Sequence, residues 1–420
     1  MDLLIAFVIV LALITAVSLW YRISPFFTLV GGAILFGLLA GMTLEATLEG
    51  IVSGLGKVFS AFGLIILCGA VIAILLQEQG QAGEIIADIR RIVKNPPALA
   101  GFSGFLLAVP ITCCVTAYIL LQPILECLET DRVKRNILLY LAAVGSIISY
   151  ALIFPTPVVI PLFSAFAAGT SALTYDAFAI PLSLAVLAGA ILFYRWARPE
   201  VSFAAIQPGD TRQDSCTGIH WRAWAPFIAI LLAIPVSFFL FGLSHVGVTN
   251  FIMLVGAVTA IALAPNGIRA AGLTKSAKHA GMIIFDICGA GALGYVIVQS
   301  GFTAGVLGQL VFLIPVILVP FILAAVIETA QGSRVVTAVI TAEVLAGSAV
   351  TAAIHPIPLI LLISAGSCIV SYVTDPFFWL VQRTTGDDIN TVVKNYTLPI
   401  ALAGIAILVV AIALEYLVFR

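Results

Sequence analysis

Long apolar blocks separated by short polar ones fill this chain almost from end to end. A helix needs about 20 residues to cross a hydrocarbon core of about 30 Å. Blocks of that kind fall at roughly 2–20, 26–41, 58–77, 137–168, 175–197, 223–243, 246–264, 279–299, 357–382 and 395–419. Two further blocks, about 98–128 and 306–347, are interrupted by small or polar residues. The first holds Pro110-Ile111-Thr112-Cys113-Cys114, the second Glu328-Thr329-Ala330-Gln331-Gly332-Ser333-Arg334. Irregular backbone at membrane depth is tolerated only where protein or a wet cavity shields it. Each of the two is therefore predicted to be a pair of half-depth helices entering and leaving on one side. The predicted fold is an all-α polytopic membrane protein with about ten transmembrane helices and two re-entrant hairpins.

Charge placement supports the hairpins. With both of them re-entrant, one side receives Arg22, Arg90, Arg91, Lys94, Arg132, Lys134, Arg135, Arg195, Arg198, Arg212, Arg222, Arg269, Lys275, Lys278, Arg383 and Lys394, which is 16 of the 19 basic residues. Lys57 and Arg420 fall on the other side, and Arg334 lies in a hairpin tip. Positive loops stay cytoplasmic, so both termini are predicted outside a cell membrane. Making either hairpin a full crossing scatters the charges. The block Leu3 to Leu19 lacks a basic leader and a small-residue cleavage site, and reads as a retained span.

Composition narrows the class. Hydrophobic residues make up 62% and charged residues 9%, against about a quarter charged in soluble domains. Lipid is thus a partner. With a net charge of −1 and no basic tract, nucleic acid is not. The cysteine spacing points to neither a metal site nor a disulfide framework, and no cofactor is implied. The histidines form no ligand or acid–base pattern, so an enzyme finds no support.

The chain also repeats itself. A shift of 221 residues places Gly80 on Gly301, Thr116-Ala117 on Thr337-Ala338, Gly145-Ser146 on Gly366-Ser367 and Pro155 on Pro376. Five crossings separate the copies, an odd number, so the halves are predicted to be inverted: 1–197 and 223–420, joined by a cytoplasmic linker at 198–222. Inverted halves meeting at mid-bilayer are a common construction of secondary transporters.

Polar groups at such depth are costly and need a partner or a cavity. Two repeat-related pairs qualify. The hairpin tips hold Thr112-Cys113-Cys114 and Gln331-Gly332-Ser333-Arg334; the interruptions of two spans hold Ser149-Tyr150 with Thr156-Pro157, and Ser371-Tyr372-Val373-Thr374-Asp375-Pro376. Proline suits the first position of a helix after a Thr or Asp cap. Thr156-Pro157 and Asp375-Pro376 are thus predicted to start fresh half-helices whose positive ends suit an anion. The candidate substrate-binding residues are Thr112, Cys113, Ser149, Thr156, Gln331, Gly332, Ser333, Arg334, Ser371, Tyr372, Thr374 and Asp375, with Asp375 and Glu328 as coupling acids. Glu328 and Arg334 read either as an ion pair or as a coupling acid beside an anion-binding cation. Asp286 and Glu343 read as buried polar contacts.

The string Ala365-Gly366-Ser367-Cys368-Ile369-Val370-Ser371-Tyr372-Val373-Thr374-Asp375-Pro376-Phe377-Phe378-Trp379-Leu380-Val381, with Gly54-Leu55-Gly56 and Gln331-Gly332-Ser333, resembles the gluconate permease family of sugar-acid:proton symporters. The resemblance implies an elevator-type homodimer holding a small anionic substrate between hairpin tips and broken helices. Departures fall at the site. Tyr372 stands for the family's histidine and Thr374 for its asparagine, while Glu328 stands where the family has an arginine. These losses imply a substrate smaller or less hydroxylated than a sugar acid. The expected activity is proton-coupled symport of a small organic anion such as a sugar acid or other carboxylate. Sodium coupling on the same scaffold is the alternative, and an ion channel the second.

Overall fold

The computed structural model describes residues 3–21, 25–167, 169–197, 201, 203, 219–239, 245–302, 314–372 and 374–419. Most of the linker expected at 198–222, and the start of the block expected at 306–347, lie outside them. The described residues form helices and no strand.

The first part of the chain gives α1 (Leu3–Tyr21), α2 (Pro25–Leu39), α3 (Leu44–Glu78), α4 (Gln81–Ile92), α5 (Pro96–Ile111), α6 (Cys114–Leu128), α7 (Arg132–Leu152), α8 (Val159–Phe166) and α9 (Ala172–Ala197). The second gives α10 (Trp221–Phe239), α11 (His245–Leu263), α12 (Asn266–Gln299), α13 (Val319–Gln331), α14 (Arg334–Leu345), a short α15 (Ala349–Ala353), α16 (Pro356–Ser367) and α17 (Pro376–Thr385). A last helical run, α18, covers Ile389–Phe419. Among the described residues α3, α7, α9, α12 and α18 are long and apolar enough to cross a membrane.

Two spans are longer than the apolar blocks 58–77 and 279–299 that announced them. α3 runs for 35 residues and α12 for 34. Their extra turns carry Glu45, Glu49 and Lys57 in one and Arg269, Lys275 and Lys278 in the other. Such residues stay helical while their heads reach out of the apolar layer. α3 and α12 pack along each other, with α2 against α12 and α11 against α3. Gly54 and Gly291 permit the approach, because a β-carbon on Gly54 would run into the Gly291 carbonyl. At the start of α2, the Phe26 amide donates to Asp286 of α12 at 3.2 Å. Lys57 of α3 bonds Glu343 of α14 at 2.7 Å.

Both interrupted blocks fold as helix–turn–helix units. α5 and α6 pack on each other, as do α13 and α14. Their arms have 16, 15, 13 and 12 residues. At 1.5 Å per residue, none spans a core of about 30 Å alone. Both interrupted spans are also broken: α7 stops at Leu152 before α8, and α16 at Ser367 before α17.

The amphipathic α4 docks on α10. There Asp88, 7% exposed, accepts from the His220 amide at 3.0 Å, the His220 ring at 3.0 Å and the Trp224 indole at 2.9 Å. Burial alone raises the Asp88 carboxyl, but these donors and the nearby His220 outweigh it and hold it below the ordinary value. A depressed folded value adds stability that is present above the ordinary aspartate pKa of about 3.9 and lost as pH falls through the folded one. Asp88→Asn is therefore expected to lower the melting temperature at neutral pH and to flatten its fall between pH 5 and 3, read in detergent by tryptophan fluorescence.

Candidate functional site

The second hairpin tip and the second broken helix meet. Gly332 ends α13 at φ 67°, a left-handed conformation that favours glycine. A β-carbon there would strike the Thr374 carbonyl and the Asp375 amide. Thr374 Oγ1 donates to the Thr329 carbonyl at 3.1 Å, closing the same contact. Ser333 caps α14, its Oγ accepting from the Val336 amide at 3.5 Å. Asp375 caps α17, accepting from the Phe377 amide at 2.8 Å, with Pro376 in the first turn. The half-helix expected at Asp375-Pro376 is thus in place.

Arg334 begins α14 and is 5% exposed, and Asp375 is 2% exposed. Their nearest atoms, Nη1 and Oδ2, lie 3.5 Å apart. The other guanidinium nitrogen donates to Ser371 Oγ. Tyr396 donates its hydroxyl to Asp375 Oδ2 at 3.1 Å, and Thr397 donates to the Ser371 carbonyl. Tyr396 and Thr397 sit in a π-helical turn, Val393–Thr397, whose wider winding turns both residues toward the break. Of the two readings of Glu328 and Arg334, the geometry sets Arg334 on Asp375, while fully buried Glu328 takes a 2.8 Å hydrogen bond from Thr337.

The first hairpin tip reaches the same region. Cys114 and Tyr150 both lie within electrostatic reach of Arg334, and α14 packs against α8. Thr112 turns the tip at φ 54° against Gly69 of α3, and the Cys113 sulfur caps α6. Two residues take local roles instead. Ser149 donates back to its own helix, to the Gly145 and Ser146 carbonyls. Thr156 accepts from Val159, so the half-helix expected at Thr156-Pro157 starts at Val159. The two prolines sit in the turn, and the cap acts one step later than the sequence pattern implied. Tyr372 is 40% exposed and meets Phe378 edge-on. Gln331 ends α13, with its side chain outside the described ones.

Tyr396, Thr397 and Thr337 were not singled out from sequence, yet the signal was present. The 221-residue shift sets Tyr396 on Tyr175 and Thr397 on Asp176. Tyr175 donates to the Leu152 carbonyl at 2.8 Å and Asp176 accepts from the Phe154 amide at 3.0 Å. Tyr175 and Asp176 tie the loose backbone of the first broken helix, whereas in the second Tyr396 bonds the Asp375 carboxylate and Thr397 the Ser371 carbonyl. Among the described residues no cluster of three or more His, Cys, Asp or Glu stands ready for a metal.

A bundle of apolar helices with several long enough to cross a bilayer, broken where a buried cation and acids gather, belongs to a multi-pass membrane permease rather than an enzyme. The GntP family permease model matches residues 1–217 and 218–418, and the chain belongs to that family. A gluconate permease of Zymomonas mobilis is 26% identical, covering 99% of this chain and 98% of its own. The Gnt-II system L-idonate transporter of Escherichia coli is 24% identical over 90% and 92% of the two chains. In fold, the chain is similar to the YdaH transporter of Alcanivorax borkumensis, with TM-score 0.65, 14% identity and 89% of each chain covered.

Proposed function

We propose that this protein is a secondary active transporter carrying a small carboxylate of the sugar-acid class with a proton across the cell membrane. The observation that carries the reading is Arg334, a buried guanidinium at a hairpin tip held by one carboxylate and one hydroxyl. A substrate carboxylate competes for it on equal chemical terms. Relatives that carry gluconate and L-idonate support the class, since each acid pairs one carboxylate with several hydroxyls. Thr112, Cys113, Gln331, Gly332, Ser333, Ser371, Tyr372 and Thr374 are the proposed lining, with Ser149 and Thr156 shaping its wall and Asp375 and Glu328 serving coupling.

The same reading makes residues 1–197 and 223–420 inverted repeats joined by a cytoplasmic linker, with re-entrant hairpins and both termini outside. The arms' shortness and the matched positions of Tyr175 and Tyr396, each bonded to its own broken helix, support it. Transport then proceeds as hairpins and broken helices slide, elevator-fashion, past the α3–α12 pair within a homodimer.

Purified protein in proteoliposomes tests the proposal. Gluconate and L-idonate should raise the melting temperature and be accumulated under an inward proton gradient, whereas sugars without a carboxylate should do neither. Accumulation driven by sodium at equal pH would replace the proton. Steady currents without accumulation would make the protein a channel, and indifference to every carboxylate would sink the reading.

A further inference from the structure

We infer that Glu328 carries the coupling proton, while Asp375 stays ionised as the resident partner of Arg334 that an incoming carboxylate displaces. The inference deepens the proton-symport reading and rests on it.

The two acids share one cation but differ in their donors. Asp375 faces three: the Phe377 amide at 2.8 Å, the Tyr396 hydroxyl at 3.1 Å and Arg334 at 3.5 Å. It also leads α17, at the positive end of that helix dipole. Glu328 is the opposite in each respect. Its Oε2 meets the Thr337 hydroxyl, and its buried Oε1 has no hydrogen-bond partner among the described residues. It stands in the last turn of α13, at the negative end of that dipole. A carboxylate with one bare oxygen in a dry interior is far costlier than the neutral acid.

Among the described residues, no other cation compensates. α13 packs against α1, α14 and α16. α1 and α16 contain no acidic, basic or histidine side chain. α14 adds Arg334 and Glu343, and Glu343 is matched by Lys57. Cys368, beyond α16, completes the titratable groups facing Glu328, with Arg334 and Asp375 acting on it through space. Within this set, one arginine balances one acid.

The charges then close over a cycle. A bound monoanion beside Arg334 and ionised Asp375 leaves the site at −1 if Glu328 is protonated, and at −2 if it is not. Substrate and proton therefore occupy the site together. Where the site opens to water and the anion leaves, hydration relieves the cost of an ionised Glu328, which releases its proton on that side, and a net-neutral pair has crossed.

Two readouts separate this assignment from the sugar-acid reading. In infrared difference spectra of wild-type against variant membranes at neutral pH, a carbonyl band of a protonated carboxylic acid should be lost in Glu328→Gln and displaced in Thr337→Val. Under an inward gradient of one pH unit, wild type should accumulate gluconate up to about tenfold, the ratio that one proton per anion supports, and Glu328→Gln should equilibrate without accumulation. A difference spectrum with no band lost in Glu328→Gln overturns the assignment, as does wild-type accumulation by Glu328→Gln. Should wild type ignore gluconate, the sugar-acid reading alone fails, and the infrared band still decides the place of the proton.

Discussion

Arg334→Ala is expected to reduce sugar-acid uptake to background. The change takes the only described cation from between two buried acids, Glu328 and Asp375, so it removes both the anion's anchor and the internal neutralisation of Asp375. Breaking a buried pair by deleting one partner costs about 3–5 kcal/mol, because the remaining charge is stranded. The variant should therefore also melt earlier. Asp375→Asn added to Arg334→Ala should recover much of the melting temperature and none of the transport, since the stranded charge is gone but no cation returns. Arg334→Lys keeps the charge, yet lacks the fork that reaches Asp375 and Ser371 together, and should lose most activity. Wild-type uptake by Arg334→Ala would move the anion site elsewhere.

Gly332→Val should be nearly as damaging without touching any charge. The residue sits at φ 67° with the Thr374 carbonyl where a side chain would go. A β-branched residue there must both leave its favoured conformation and push the hairpin tip off the broken helix. The expected result is loss of uptake with a membrane-inserted protein of wild-type size still recovered, read by uptake and size-exclusion profile. Gly332→Ala should already lose most activity, because its β-carbon alone meets the Thr374 carbonyl and the Asp375 amide. Near-normal transport by Gly332→Val would mean that tip and break do not work as one unit.

Much of this was legible in the chain. Apolar blocks announced the apolar helices, and the runs around Thr112 and Gly332 announced the helix breaks, because polar backbone inside such blocks has few tolerable explanations. Asp375-Pro376 gave a half-helix start through ordinary capping chemistry. The outer turns of α3 and α12 were not legible, since Glu45, Glu49, Arg269 and Lys275 read as loop until a neighbouring helix is seen to cover their apolar side. Tyr396 was missed for a related reason. It lies in the polar run Lys394-Asn395-Tyr396-Thr397, which resembles an interfacial anchor, and only the fold brings it to Asp375. The pairing of Arg334 likewise depended on tertiary approach. Glu328 is six positions away and Asp375 forty-one, yet Asp375 is the one it bonds.

The embrace of α3 by α12, with α2 and α11 crossing over, also constrains how the molecule can be made. When the ribosome has finished α9, α3 still presents to lipid, or to the insertion machinery, the small-residue stripe that α12 will later cover. The amino-terminal part cannot complete its own packing, so assembly must wait for the carboxy-terminal part to be threaded in. Two separately synthesised pieces, divided in the polar stretch after Ala197, should each be degraded alone and rescue one another when made in the same cell.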